Sequence, residues 1–206
     1  MPIQAVIFDI GNVLIEWDPH RFYDSQIGAQ ARARFFTDTD IMAVHQRIDA
    51  GAPFQATVAD LAARHPQWAG EIGLWYSHWN DMAGPTIEGS VALNRALRAR
   101  GIATFALTNF NAEALAISDQ KFPYLKEFDQ RFVSGDLRLI KPDPKIYAHV
   151  EMALGLPVQD LLFVDDRPEN IAAAQARGWR GHVFTDAQAW AECLVAHGLL
   201  NPEECP

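Results

Sequence analysis

Four short stretches of this sequence put reactive side chains where apolar runs stop. AVIFDIGNVL (5–14) drives into Asp9 and breaks at Gly11; GIATFALTN (101–109) ends on Thr108 and Asn109. DLLFVDD (160–166) ends on Asp165 and Asp166, and LIKPDP (139–144) offers Lys141 just ahead of a helix start. A carboxylate closing an apolar strand carries a desolvation cost that something must offset. Three carboxylates meeting without a cation repel, and at least one is forced neutral. Lys141 brings one positive charge. A divalent cation balances the rest, and an all-oxygen donor set suits Mg²⁺. Lysine and cation together make a receptacle for a phosphate-like anion. Thr108, Asn109 and the N–H groups after Asp9 would supply its neutral hydrogen bonds.

Each of these residues alone has a plainer account. Asp9 can bond a turn. Asp166 can cap a helix, with Glu169 at capping-box spacing. Thr108, Asn109 and Asn111 are ordinary cap residues before AEALAI, and a lone lysine is usually solvated. Asp143 is read as a cap only. The argument for chemistry is that all of them stand at the ends of elements that face one side.

Those elements are short β-rich runs alternating with helical patterns: 3–9, 101–109, 128–134, 160–166 and 181–184. Runs this apolar, separated by helices, predict an α/β fold, a Rossmann-like parallel sheet with helices on both faces. The helices carry their own stop signals, at Gly101, Gly155, Gly178 and Gly198. Residues 16–85 differ, with helical patterns and no strong strand. They predict a small all-helical cap inserted after the first strand, and a core of 1–15 and 86–206. Such an insert leaves from the carboxyl edge of the sheet, where open parallel sheets bind ligands, and can act as a lid. Trp75 and Trp79, one helical turn apart with Trp68 nearby, are read as packing of that cap. Glu16 and Trp17 are placed in a flap at the entrance.

The chain has 206 residues, 49% hydrophobic and 21% charged, with a net charge of −9 and no basic block. That balance fits a globular chain and points away from nucleic acid and anionic membranes as partners, leaving a small anionic molecule. Cys193 and Cys205 form neither a disulfide framework nor a zinc spacing. Met1 to Ile10 lacks a basic start and is too short an apolar stretch for a signal or spanning segment, so the reading is cytoplasmic. Monomer and homodimer are both open. NPEECP (201–206) reads as a loose tail.

FDIGNVL, LTN, KPDPKIY and VDDRPEN, in that order, resemble the four motifs of the haloacid dehalogenase-like (HAD) hydrolase superfamily, over most of residues 5–180. By that resemblance Asp9 is the nucleophile, Thr108 and Asn109 bind the transferring phosphoryl group, and Lys141 neutralises charge. Asp166 is a direct Mg²⁺ ligand, with Asp165 an outer-shell ligand and Gly11 offering its carbonyl. The family's phosphatases usually carry a second aspartate where this chain has Gly11, as proton donor and then base. Its absence leaves three readings: a cap residue replaces it, turnover is slow, or the reaction differs. His45 and Arg47 in VHQRIDAG are the candidate replacements.

The resemblance implies a Mg²⁺-dependent phosphatase of a small metabolite such as a sugar phosphate, acting through an aspartyl-phosphate. The alternative is a 2-haloacid dehalogenase, in which Asp9 attacks carbon without metal and Arg34 or Arg47 clamps the substrate carboxylate. Those enzymes are less similar at the fourth motif, where non-acidic residues replace the acid pair. A degenerate, non-catalytic member is the third reading.

Overall fold

Seven strands and eleven helices organise the computed structural model, which describes residues 2–205. The strands are β1 (Ala5–Phe8), β2 (Ile15–Trp17), β3 (Ala83–Thr86), β4 (Ala103–Thr108), β5 (Gln130–Val133), β6 (Leu161–Asp165) and β7 (Arg180–Val183). The helices are α1 (Pro19–Ile27), α2 (Ala29–Thr39), α3 (Ile41–Asp49), α4 (Phe54–Arg64), α5 (Ala69–Ser77) and α6 (Glu88–Ala99). They continue with α7 (Ala112–Lys121), α8 (Ser134–Leu137), α9 (Pro144–Leu154), α10 (Pro168–Ala176) and α11 (Ala187–Ala196).

Five strands form one sheet in the order β5-β4-β1-β6-β7, every pair parallel. This is the Rossmann-like α/β architecture that the apolar runs predict. The period of two in β1 builds both faces. Val6 and Phe8 join one core with Val91 and Leu97 of α6 and Trp190 of α11. Ala5 and Ile7 join the other, with Ile146, Tyr147 and Val150 of α9 and Ile171 of α10. Phe8 lies 5.8 Å from Phe128 and 5.7 Å from Trp190, the latter edge-on. Such pairs add about 0.5–1.5 kcal/mol each beyond their buried area.

Helices α1–α5 fill the segment between β1 and β4 and pack around a third cluster that includes Tyr23, Phe35, Val44 and Trp75. Ala114 of α7 joins this cluster, so helical segment and sheet domain share a packed seam. The segment also contains strands, contrary to the sequence expectation. β2 and β3 pair antiparallel, Ile15 opposite Thr86 and Trp17 opposite Ala83, as a ribbon that carries the chain out and back. Each is short, and β3 contains Gly84 and Pro85, so neither shows an alternating pattern.

Two cap expectations also change. Asp166 does not cap α10: the N-cap is Arg167, and the Arg167 N–H donates to Asp165 at 2.8 Å instead. The tail holds a 3₁₀ turn at Pro202–Glu204, pinned by Arg100 to Glu204 at 2.7 Å; Pro206 lies outside the described residues. Asp143 caps α9 as predicted, and Asp186 caps α11. No helix of the described residues is long and apolar enough to cross a membrane.

Candidate active site

Because β1, β4 and β6 run parallel, their carboxyl ends open on one side. Asp9 follows β1, Thr108 closes β4, and Asp165 closes β6 with Asp166 next. A cavity of about 600 Å³ lies above them, lined at its base by Asp9, Gly11, Thr108, Asn109, Lys141 and Asp166. Its upper wall includes Trp17, Met42, His45, Asp49 and Trp79 from the ribbon and the helical segment.

Lys141 is the hub. It is 4% exposed, and its ammonium donates to Asp165 Oδ2 at 2.6 Å and the Leu107 carbonyl at 2.8 Å, and reaches Asp9 Oδ1 at 2.9 Å. Burial opposes its charge, but Asp165 and Asp9 outweigh burial and hold the ammonium above its ordinary value. Asp165 is wholly buried and committed to protein donors: Lys141, the Arg167 N–H, and the Asn170 amide at 2.9 Å to both oxygens. Tyr147 of α9 fixes Asn170 in turn, its hydroxyl donating to the Asn170 carbonyl at 2.9 Å. Asp165 is thus the anchor of Lys141, a role the spacing of two adjacent acids did not suggest.

Asp9 receives the Ile10 N–H at 2.7 Å and Lys141, both on Oδ1; Oδ2 takes no hydrogen bond among the described residues. Burial pushes its carboxyl up to about 7, the pull of Lys141 being shared with Asp165 while Asp165 and Asp166 add repulsion. Asp166, half-buried, is also raised, by burial and then by Asp165; its one side-chain bond is a long 3.3 Å contact from Asn12. Single oxygens of Asp9, Asp165 and Asp166 lie within 4.8 Å of one another. Three clustered carboxylates facing one ammonium, all donors oxygen, fit a hard divalent cation, which would relieve the repulsion that raises Asp9 and Asp166. Asp9 and Asp166, with the Gly11 carbonyl beside them, could hold it, with Asp165 behind them.

Asn109 lines the cavity, but its amide is spent on the Lys141 main chain. Its Nδ2 donates to the Lys141 carbonyl at 3.0 Å, and its Oδ1 accepts the Lys141 N–H at 2.8 Å. It positions the lysine. Arg47 and Arg34 are both exposed, and neither lines the cavity. On α3 the inward positions are Ile41, Val44, His45 and Ile48, which turns Arg47 outward. His45 does reach the cavity, stacked on Trp17 with centroids 4.8 Å apart. Burial lowers its pKa to about 4, so it is neutral at physiological pH. Trp75 is pure packing, whereas Trp79 both packs and lines the cavity.

Sequence reasoning missed Asp49. It is 6% exposed, lines the cavity, and stands one helical turn beyond His45, with His45 Nε2 3.3 Å from its Oδ2. The spacing of four between His45 and Asp49 was the available signal, since it puts both on one helix face.

Residues 3–178 match the family of haloacid dehalogenase-like hydrolases. Over 96% of its length the chain is 26% identical to the sesquiterpene phosphatase astK of Aspergillus oryzae, across 97% of that protein. The HAD family enzyme bt-2542 of Bacteroides thetaiotaomicron superimposes with a TM-score of 0.74 at 21% identity, covering 94% of this chain and 99% of that one. Its wild-type form has also been solved in complex with magnesium and inorganic phosphate. The L-2-haloacid dehalogenase of Xanthobacter autotrophicus, with chloropropionic acid covalently bound, superimposes with a TM-score of 0.62 at 18% identity, covering 98% and 86%. At these identities the solved structures speak for the shared fold alone. With the family match spanning most of its length, the chain belongs to the haloacid dehalogenase-like hydrolases.

Proposed function

We propose that the protein is a Mg²⁺-dependent phosphatase that hydrolyses a small phosphate monoester through an aspartyl-phosphate on Asp9. The observation that carries this is the buried Asp9–Lys141–Asp165 array with Asp166 beside it: an anion-binding base whose carboxylate charge a divalent cation would balance. When bound, magnesium supplies Lewis-acid polarisation of the phosphoryl oxygens and neutralises the carboxylates. The chain's own residues do the rest. Asp9 Oδ2 attacks phosphorus. Lys141, locked by Asp165 and Asn109, lowers the charge repulsion that meets that attack. Thr108 offers a hydroxyl at the floor, and the ribbon and helical segment overhead limit the entry of bulk water.

The walls favour an ester with an apolar organic part. Ile10, Ile15, Trp17, Met42, Trp79 and Phe110 line the cavity and give an organic group an apolar wall. The likeness to a sesquiterpene phosphatase supports this over a sugar phosphate. The dehalogenase reading keeps one support, the fold shared with an enzyme caught with chloropropionic acid bound. Against it, neither Arg34 nor Arg47 can clamp a carboxylate from outside the cavity. The paired acids Asp165 and Asp166 also have no use in a metal-free displacement.

One panel separates the readings: prenyl, sugar and aryl phosphates with and without Mg²⁺, beside 2-chloropropionate. The expected result is Mg²⁺-dependent phosphate release, fastest with prenyl esters and abolished in Asp9→Asn. Halide release without metal and no phosphate release would overturn the assignment, and silence on every substrate would favour a degenerate binding protein.

A further inference from the structure

We infer that Asp49, on α3 across the cavity from Asp9, is the proton carrier that stands in for the aspartate absent at Gly11. The inference rests on the phosphatase reading and supplies its missing acid and base.

Three observations carry it. The first is place: Asp49 lines the same cavity as Asp9, Lys141 and Thr108, and its carboxyl faces the main-chain N–H of Asn111, next to the Thr108–Asn109 floor. The second is fixation. The Ser134 hydroxyl donates to the Asp49 carbonyl at 2.6 Å, and the Asn111 amide donates to the Ile48 and Ala52 carbonyls at 3.0 and 3.1 Å. Gly51 follows at φ +99°, and any Cβ there would meet the Gly135 carbonyl at 2.8 Å. The end of α3 is therefore pressed onto the loop after β4 and the start of α8, so Asp49 sits on the seam. The third is the protonation state. Burial first, then the charge of Asp9, raises the Asp49 carboxyl well above 3.8, against the pull of the Asn111 N–H and Lys141. The groups that face it are neutral His45 on its own helix, Asp9 after β1, and Lys141 before α9. A buried carboxyl kept protonated while its neighbour ionises is the division of labour acid–base chemistry requires.

The steps balance. As Asp9 Oδ2 bonds to phosphorus, the ester P–O bond breaks, and the leaving oxygen takes the Asp49 proton to depart as an alcohol. Asp49, now a carboxylate, removes a proton from water. The water oxygen bonds to phosphorus, the bond from phosphorus to Asp9 breaks with its electron pair returning to Asp9, and phosphate leaves with Asp49 protonated again.

A good leaving group needs no proton in the first half, which gives the test. With Mg²⁺ present, pre-steady-state release of nitrophenolate from p-nitrophenyl phosphate is compared with single turnover of an alkyl phosphate. Asp49→Asn, checked for folding by circular dichroism, is expected to keep the nitrophenolate burst of one equivalent. Its steady state should fall by about 10²–10⁴, and its alkyl-ester turnover by a similar factor. Adding Gly11→Asp should restore at least about tenfold of the loss, since a Cβ at Gly11 meets nothing within 4 Å. Alkyl-ester turnover in Asp49→Asn within threefold of wild type, or loss of its burst, overturns the assignment. A wild-type protein that releases no nitrophenolate with Mg²⁺ refutes the phosphatase reading, and this inference with it.

Discussion

Replacing Asp9 should make the metal-free protein more stable. Asp9 is buried, and its carboxyl is pushed from 3.8 to about 7. The unfolded chain ionises above 3.8 while the folded chain resists until about 7, so ionising Asp9 costs stability at neutral and alkaline pH. At 1.36 kcal/mol per pH unit, the cost is about 4 kcal/mol by pH 8, about 2 at pH 5.5, and vanishes below 3.8. The competing effect is loss of a partner for Lys141. That ammonium keeps Asp165 at 2.6 Å and the Leu107 carbonyl at 2.8 Å, so it is not orphaned, and asparagine retains an oxygen toward it. Allowing about 1–2 kcal/mol for the weakened bond, Asp9→Asn should gain about 2–3 kcal/mol at pH 8. In melting temperature that is about 5–10 °C for a chain of this size. The assay is thermal unfolding of wild type and Asp9→Asn between pH 5 and 8 in chelator, then with Mg²⁺. The gap should widen from pH 5 to 7, level off, and close when Mg²⁺ stabilises the wild type. An Asp9→Asn protein no more stable than wild type at pH 8 in chelator would refute the account of the site as a strained, cation-seeking cluster.

Two further outcomes follow from the same geometry. Burial lowers the His45 pKa from 6.5 to about 4, so the unfolded chain takes a proton there first as pH falls, and stability drops by about 2 kcal/mol between pH 7 and 5. Urea titrations of His45→Gln should show a profile flatter by that amount, and an unchanged profile would mean that His45 is already protonated in the folded state. Asn109→Ala removes two bonds to the Lys141 main chain and should cost about 2 kcal/mol in urea unfolding, with a turnover loss that outweighs any change in KM; a KM effect alone would return Asn109 to substrate binding.

The strands were legible because the central ones, β1, β4 and β6, are largely apolar on both faces, and the predicted runs overlap all five strands of the main sheet. Parallel order then did the work for the site: once β1, β4 and β6 run the same way, Asp9, Thr108 and Asp166 must open on one side. What was not legible depends on contacts between distant segments. The β2–β3 ribbon is defined by its partner strand and not by pattern. By spacing alone Asp165 and Asp166 look equivalent; the family resemblance set them apart, and the approach of Lys141 and Asn170 marks Asp165 as the anchor beside its half-buried neighbour. Arg47 entered with His45 as part of the VHQRIDAG stretch, yet the inward run Ile41, Val44, His45, Ile48 places it on the far side of α3. The same periodicity, extended one turn from His45, points to Asp49.

Gly11 therefore has a reading beyond loss. Two carboxyls in one site must differ in protonation, and two aspartates on one loop share nearly the same surroundings, so their separation needs fine local tuning. Here the second carboxyl lies in the cleft wall opposite, where burial on helix α3 raises it toward the protonated form, while Lys141 stands beside Asp9 at the sheet edge. The two environments are set by different parts of the chain. Proton transfer then depends on how α3 seats on the core, through Ser134, Asn111 and the close approach of Gly51 to Gly135. An open cleft would expose Asp49 to water and ionise it, leaving no proton for the leaving group. On the proposed reading, hydrolysis would then be tied to the fit of the substrate's organic part against Trp17, Trp79 and Phe110, which line the same cavity as Asp49.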